Sequence, residues 1–146
     1  MLTPWFITGF CEGEAAFTYS RHGDRLNLYF AIKLNEEDKD LILQIQEFFG
    51  VGTIYDVKAT PPRKYSGLTN PAVYYRVTRV SELEKVVEHF DNFPLFGKKL
   101  KSYKIWRQMF EVKQKFRQPD KMKLAELALS LSKLSNKNTK LRNRQQ

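Results

Sequence analysis

Residues 5–17 read Trp5-Phe6-Ile7-Thr8-Gly9-Phe10-Cys11-Glu12-Gly13-Glu14-Ala15-Ala16-Phe17, a run that starts with helical apolar spacing and ends with two carboxylates. Thr3 is suited to cap a helix and Pro4 to occupy its first position. Ile7, Phe10 and Cys11 then recur at the i, i+3 and i+4 spacing of one helix face. The sequence therefore predicts a helix that begins after Thr3 and ends at the two acids.

Two glycines lie four residues apart inside this predicted helix. Each costs roughly 1 kcal/mol of helix stability relative to alanine, so Gly9 and Gly13 indicate that another backbone packs closely against this one. A second copy of the same helix is the simplest candidate.

The two carboxylates fall in the last turn of the helix. The macrodipole is negative there and the final carbonyl groups lack partners, so Glu12 and Glu14 are unfavourably placed unless a cation joins them. A hard divalent metal would supply that charge. The alternative is an ordinary amphipathic helix with surface acids.

The segment Ile7-Thr-Gly-Phe-Cys-Glu-Gly-Glu-Ala15 resembles the LAGLIDADG motif of homing endonucleases and related intron maturases, in a form similar to organellar members. The resemblance implies that Glu14 and the Gly13 carbonyl bind a catalytic Mg²⁺. Mn²⁺ is an alternative catalytic ion and Ca²⁺ a non-catalytic substitute. Ala15 stands where the family usually has glycine. The implied contact between two motif helices involves Thr8, Gly9, Glu12 and Gly13.

Length and composition indicate one globular domain. The 146 residues are 42% hydrophobic, which is enough to bury a core. We expect neither a membrane span nor a secretory signal, because the sequence has no long apolar run and no charged-then-apolar start. Cys11 is the only cysteine, which excludes an internal disulfide, and with His22 and His89 it cannot build a zinc cluster.

The net charge of +9 is concentrated in the C-terminal part of the chain. Residues 98–146 carry 15 lysines and arginines against 3 acids, whereas residues 1–97 carry 10 against 13. A basic region of this size indicates a polyanionic partner. Nucleic acid is favoured over a membrane surface because the basic region has no long apolar face.

Four segments alternate polar and apolar residues as half-buried strands do: 15–20, 25–33, 53–58 and 73–80. Between the second and third, Asn35 is expected to cap a helix that Gly50-Val-Gly52 ends. After the fourth, Ser81-Glu-Leu-Glu84 indicates a capping box for a helix through Phe90. Further helices are predicted around residues 103–110 and 121–134.

This order of elements is the helix-strand-strand-helix-strand-strand-helix order of the LAGLIDADG fold. The resemblance covers roughly residues 4–117 and implies an α/β (α+β) domain with a curved antiparallel sheet that binds DNA. We expect an endonuclease domain over residues 1–117, then a C-terminal helix and basic tail over 118–146. The tail is expected to fray or to follow the DNA backbone; the alternative is a solubilising tail.

The outward sides of the strands and the turn at residues 59–72 are the predicted DNA-binding surface. The strand segments are net basic, while residues 34–50 and 81–91 are net acidic, so those two helices should face away from the DNA. A merely solvated sheet face is the alternative. The predicted contacts are Thr18, Ser20, His22, Arg25, Asn27, Tyr29, Lys33, Tyr55, Lys58, Arg63, Lys64, Tyr74, Arg76 and Thr78.

Two adjacent lysines follow Pro94 in a segment similar to the Pro-Leu-x-x-Lys-Lys segment of family members. The resemblance implies a lysine near the active site that stabilises phosphate charge or perturbs the attacking water. Matching Pro94 favours Lys99 for this role, with Lys98 as the second candidate, and a plain phosphate contact is the alternative. Leu34 occupies the position where the family usually supplies another polar group.

The chain contains one motif, and cutting both DNA strands needs two. We therefore expect a homodimer that cleaves a long, roughly palindromic double-stranded DNA site by Mg²⁺-dependent hydrolysis, unless the chain is half of a two-motif protein. The alternatives are an intron maturase of the same fold, with RNA as partner, and a non-catalytic DNA-binding regulator. The expected location is intracellular, in an organelle or a prokaryotic cytoplasm.

Overall fold

The computed structural model describes residues 1–61, 70–115 and 120–144, with side chains up to residue 134. The helices are α1 (Pro4–Glu14), α2 (Lys39–Phe49), α3 (Val80–Asn92), α4 (Lys98–Lys115) and α5 (Lys121–Arg144). The strands are β1 (Ala15–His22), β2 (Arg25–Asn35), β3 (Thr53–Val57) and β4 (Ala72–Val77), and a short 3₁₀ turn spans Glu36–Asp38.

The four strands form one antiparallel sheet in the order β1-β2-β4-β3. One face of the sheet contributes side chains to a single hydrophobic cluster together with all five helices. The opposite face is not covered by a helix in the described part of the chain. The predicted α+β architecture is therefore confirmed, and the acidic helices α2 and α3 pack on the side of the sheet away from this open face.

The motif helix begins and packs as its sequence predicts. The Thr3 side chain accepts a hydrogen bond from the Phe6 amide at 3.2 Å, and Pro4 is the first residue of α1. Ile7 and Cys11 are completely buried. Burial raises the pKa of the Cys11 thiol to about 12, so it is a neutral core residue.

The centre of the core is aromatic. The Phe17 ring lies 5.2–5.3 Å, centroid to centroid, from the rings of Phe30, Phe90, Tyr103 and Trp106. The Trp106 indole donates a hydrogen bond to the Thr18 carbonyl at 3.0 Å, which satisfies its buried N–H and joins α4 to β1. Helix α5 packs on the domain through Leu124, Ala128 and Leu131.

Some predicted boundaries were wrong. Helix α3 begins at Val80, with Arg79 at the N-cap and no side-chain cap hydrogen bond, so the Ser81 capping box does not form. Strand β4 ends at Val77, which leaves Thr78 just beyond it, and β3 ends before Lys58. Helix α5 continues past residue 134 to Arg144.

Strand β2 also runs two residues further than predicted, to Asn35, so Leu34 lies inside the strand opposite Val73. Asn35 caps the 3₁₀ turn and not α2 itself, because its side chain accepts a hydrogen bond from the Glu37 amide at 2.9 Å. Helix α2 has Asp38 at its N-cap and no side-chain cap hydrogen bond. Among the described residues, no helix combines the length and the apolar character needed to cross a membrane.

Candidate functional site

Glu14 lies at the junction between the motif helix and the sheet. It is the last residue of α1, its side chain is exposed, and the backbone becomes extended at Ala15 to start β1. The preceding Gly13 is exposed as well, and carbonyl groups in the last helical turn lack donors from the helix. A carboxylate and a carbonyl group are therefore available side by side at one end of α1.

Lys99 lies next to this junction. Its ammonium group donates a hydrogen bond to the carbonyl of Ala15 at 2.5 Å, and Ala15 directly follows Glu14. Lys99 is half-buried, whereas Lys98 is exposed at the first position of α4. The geometry therefore brings Lys99 to the end of the motif helix and gives it a defined position.

The loop at residues 93–97, which leads into α4 and Lys99, is fastened along one side of α1. The Thr8 hydroxyl donates to the Phe93 carbonyl at 2.8 Å, and the Glu12 carboxylate accepts from the amides of Phe96 and Gly97. Thr8 and Glu12 are at i and i+4, on one face of the helix, and the bond from Lys99 to the Ala15 carbonyl lies just beyond the end of α1. They hold the loop in register with Glu14.

This arrangement changes the role predicted for Thr8. The residue is 2% exposed, and its hydroxyl also lies 3.0 Å from His89 Nε2. Because the hydroxyl proton goes to the Phe93 carbonyl, the hydroxyl accepts from the His89 N–H. Thr8 is thus buried and satisfied within its own chain, and its side chain is not available to a second motif helix. Glu12 also uses its carboxylate within the chain.

His89 provides a test of this buried contact. Burial lowers the pKa of His89 to about 4. Between about pH 6.5 and 4, His89 is therefore protonated in the unfolded chain but neutral in the folded chain. The stability that neutral His89 contributes is complete above pH 6.5 and is lost as the pH falls towards 4. Thermal unfolding across this range should show wild type losing on the order of 1–3 kcal/mol more stability than His89→Gln. Equal losses would contradict a neutral buried His89.

The outer face of α1 is open. An added Cβ at Gly9 or at Gly13 would meet nothing within 4 Å. Trp5 and Phe6, near the start of the same helix, are 53% and 44% exposed. The close backbone approach that the glycine spacing predicts is therefore not made within the described part of the chain.

The open face of the sheet carries polar and aromatic residues in cross-strand rows. One row contains Ala16, Ala31, Arg76 and Thr53, and its neighbour contains Lys33, Tyr74 and Tyr55. A depression of about 310 Å³ lies beside Glu14. Its lining consists of Glu14, Ala16, Tyr29, Ala31, Lys33, Tyr74 and Arg76. The acidic end of the motif helix thus adjoins two cationic side chains on the sheet.

Most of the predicted DNA contacts fall on this open face. Its strands carry Thr18, Ser20, His22, Arg25, Asn27, Tyr29, Lys33, Tyr55, Tyr74 and Arg76. Thr78 and Lys58 lie just beyond the ends of β4 and β3, and Arg63 and Lys64 are outside the described residues. Thr53, opposite Arg76 and exposed, was missed because only the cross-strand register identifies it as a neighbour.

The donor set at the end of α1 suits a hard cation. Oxygen ligands such as the Glu14 carboxylate and the Gly13 carbonyl are those that Mg²⁺ prefers. The described residues contain no group of three or more His, Cys, Asp or Glu side chains that could hold a metal ion. A complete coordination shell would therefore need oxygens from outside this chain, and Mg²⁺ commonly keeps waters and binds substrate phosphates.

Comparison with known proteins identifies the family. The family model described as LAGLIDADG endonuclease matches residues 7–110, a span that contains most of α1, the whole sheet and Lys99 with the loop before it. The chain belongs to the LAGLIDADG endonuclease family.

Individual relatives are consistent with this assignment. The chain is 33% identical over 116 residues to an uncharacterized 50.9 kDa protein in ND4 intron 1 of Podospora anserina, with 73% of this chain and 23% of that protein covered. It is 26% identical to the probable intron-encoded endonuclease Cox1-I1b of Schizosaccharomyces pombe, with 74% and 27% covered. The chain thus matches about a quarter of the length of these relatives.

Solved structures share the fold. The LAGLIDADG meganuclease I-AabMI, bound to uncleaved DNA, matches with a TM-score of 0.74 and 28% identity, covering 89% of this chain and 45% of that chain. The homing endonuclease I-TnaI matches with a TM-score of 0.72 and 23% identity, covering 95% and 97%.

Proposed function

We propose that this chain is a site-specific DNA endonuclease that hydrolyses phosphodiester bonds with Mg²⁺. The observation that carries the proposal is the position of Glu14 and Lys99 together at the edge of an uncovered, polar sheet face. The family assignment and the similarity to DNA-bound I-AabMI support it.

In this proposal the residues at the end of α1 have different chemical roles. Glu14 and the Gly13 carbonyl would hold the metal ion, and the ion would supply charge neutralisation at the scissile phosphate and a lowered pKa of a water molecule. Lys99 places a positive charge near the same phosphate. The Thr8 and Glu12 contacts keep Lys99 in place, and Ala15 serves as the backbone acceptor that orients its ammonium group.

Two copies of the motif helix complete the proposed enzyme. The unfilled space at Gly9 and Gly13 supports packing of two α1 helices, and the match to only 45% of I-AabMI supports a unit that works in pairs. A two-fold dimer would place one Glu14 over each DNA strand and would recognise a roughly palindromic site.

A substitution at Gly9 tests this assembly. Gly9→Leu should leave the folded monomer intact, because an added Cβ meets nothing within 4 Å in the described part of the chain, but should block close helix packing. We expect at least a tenfold weaker dimer by sedimentation analysis, with an unchanged far-UV circular dichroism spectrum. Leu43→Ala, on an exposed position of α2, is the matched control and should dimerise normally. Unaltered association of Gly9→Leu would contradict packing through this face.

The activity itself is tested with a library of randomised duplexes and Mg²⁺, by sequencing the cut ends. Related, near-palindromic cut sites are expected. If the chain binds duplex DNA without cutting it, the endonuclease proposal is wrong and a DNA-binding regulator is favoured. If it binds intron RNA selectively and cuts no DNA, a maturase is favoured.

The names of the relatives support an organellar setting. Two of them refer to introns of ND4 and Cox1, which are mitochondrial genes. We propose that this chain also acts inside an organelle, where long intron-associated DNA sites are its substrate.

A further inference from the structure

We propose that Arg76 recognises a guanine base in each half of the DNA site, and that Tyr29 holds the guanidinium group ready for this contact. The inference rests on the proposed endonuclease function and identifies one determinant of its specificity.

Arg76 lies at the centre of the open face. Strand β4 is an inner strand, and Arg76 is paired with Ala31 on β2 and with Thr53 on β3. Beyond Ala31 in the same row lies Ala16. The short alanine side chains leave the depression beside Arg76 unfilled, so a base edge can approach the guanidinium group directly.

The guanidinium group is held against aromatic rings. Its central carbon lies 4.2 Å from the centroid of the Tyr29 ring and 6.0 Å from that of Tyr74. Such cation–π contacts restrict the side chain without using its N–H donors. The stacking therefore fixes the direction of the N–H donors without occupying them. Because the side chain is already ordered, less conformational entropy is lost when these donors bind a ligand.

The donors of Arg76 also lack acceptors among the described residues. Arg76 Nε is shielded from solvent and has no hydrogen-bond partner in that part of the chain, and none of the described carboxylates forms an ion pair with this residue. Arg107 shows the contrast, because its Nε and Nη2 donate to Asp91 at 2.7–3.1 Å and its Nη1 donates to Glu111. Because Nε is shielded, the donors that a base can reach are the two terminal amino groups, Nη1 and Nη2. We interpret these two groups of Arg76 as donors whose acceptors come with the DNA.

Guanine offers the acceptor pattern that fits this group. In the major groove its N7 and O6 atoms are two adjacent acceptors that match the guanidinium fork, whereas adenine presents N7 beside an amino donor. Lys33, which lies 5.3 Å from the Tyr74 ring, is a point charge and carries no such pattern. Since Arg76 lies in the rows next to Glu14, the guanine should occupy an inner position of each half-site.

The first experiment selects duplexes from a randomised library that bind the full chain in Ca²⁺, which should allow binding without cleavage. Wild type should enrich guanine at one inner position in each half-site. Arg76→Ala should reduce the preference at that position by about tenfold or more and leave the other positions unchanged. Arg76→Lys should also lose it, because an ammonium group cannot make the paired contact.

A second experiment changes single atoms in the selected site. Replacing the guanine by 7-deazaguanine removes N7 and should weaken wild-type binding about tenfold, while inosine retains the same major-groove edge and should bind normally. Tyr29→Leu should reduce the guanine preference, and Tyr29→Phe should retain it because the ring is preserved.

Two outcomes would overturn the proposal. If Arg76→Ala weakens all sequences equally and lowers the salt dependence of binding by about one phosphate contact, Arg76 binds the backbone. If 7-deazaguanine binds like guanine, the N7 contact does not exist. A wild-type chain that selects no sequence at all would instead remove the proposed endonuclease function, so the two failures are distinguishable.

Discussion

Glu14→Gln is expected to abolish DNA cleavage, with a loss of about 10³-fold or more, while leaving DNA binding nearly unchanged. The substitution keeps the size of the side chain but removes the charge that a metal ion needs. Glu14 is exposed at the end of α1, so the free energy of unfolding should change by less than about 0.5 kcal/mol. Single-turnover cleavage and Ca²⁺-dependent binding of the same duplex measure the two quantities separately.

Glu12 supplies a matched control two residues away. One oxygen of its carboxylate, Oε1, accepts hydrogen bonds from the backbone amides of both Phe96 and Gly97, and the side-chain oxygen of a glutamine can replace it. Glu12→Gln should therefore retain most of the cleavage activity, whereas Glu12→Ala should lose about tenfold or more by releasing the Lys99 loop. If Glu12→Gln were as inactive as Glu14→Gln, both carboxylates would be metal ligands. Cleavage by Glu14→Gln would remove Glu14 from the chemistry.

The sequence predicts the fold well because each element has a strong local signal. The spacing of Ile7 and Cys11, the cap at Asn35 and the alternation in β2 report directly on which side of the chain is buried. Boundaries were less predictable where the backbone is stabilised by partners distant in sequence. Leu34 remains in β2 because it pairs with Val73, and that register is set by residues about 40 positions away.

The candidate site was only partly predictable for the same reason. The motif identifies Glu14, and the segment after Pro94 identifies Lys99, but neither indicates that Lys99 bonds to the Ala15 carbonyl. Thr8 was assigned to a contact between helices because of its place in the motif. Its actual partners, His89 and Phe93, are more than 80 residues away and carry no local signal.

The structure also separates two kinds of charged residue. Arg107 and Asp91 form a satisfied pair in which the arginine holds the pKa of the Asp91 carboxyl below its usual value. Arg76 and Lys33 lie against aromatic rings on the open face, and neither forms an ion pair within the described part of the chain. A count of charges in the sequence does not distinguish Arg107 from Arg76 and Lys33. Their partners do, because Arg107 stabilises the fold through Asp91, whereas Arg76 and Lys33 are available to a ligand such as DNA.

Lys99→Met should reduce cleavage by about 10²-fold with little change in the affinity for DNA. The ammonium group is held against the carbonyl of the residue that follows Glu14, so under the proposed mechanism its removal takes a positive charge away from the scissile phosphate and not from the outer binding surface. Methionine keeps most of the length and the apolar stem of the side chain without its charge. Cleavage rates under single-turnover conditions and binding in Ca²⁺ should show the loss in the chemical step alone.

Lys98→Met is the control that separates a role in the chemical step from a general effect of positive charge. Lys98 carries the same charge one residue away but is exposed at the start of α4. Its replacement should weaken DNA binding modestly and lower the salt dependence of binding by about one phosphate contact. The single-turnover cleavage rate should not change. The reverse pattern, with Lys98→Met slow in cleavage and Lys99→Met merely weaker in binding, would assign the active-site role to Lys98. Equal effects of the two variants on binding alone would make both lysines backbone contacts and would leave neither of them a role in the chemical step.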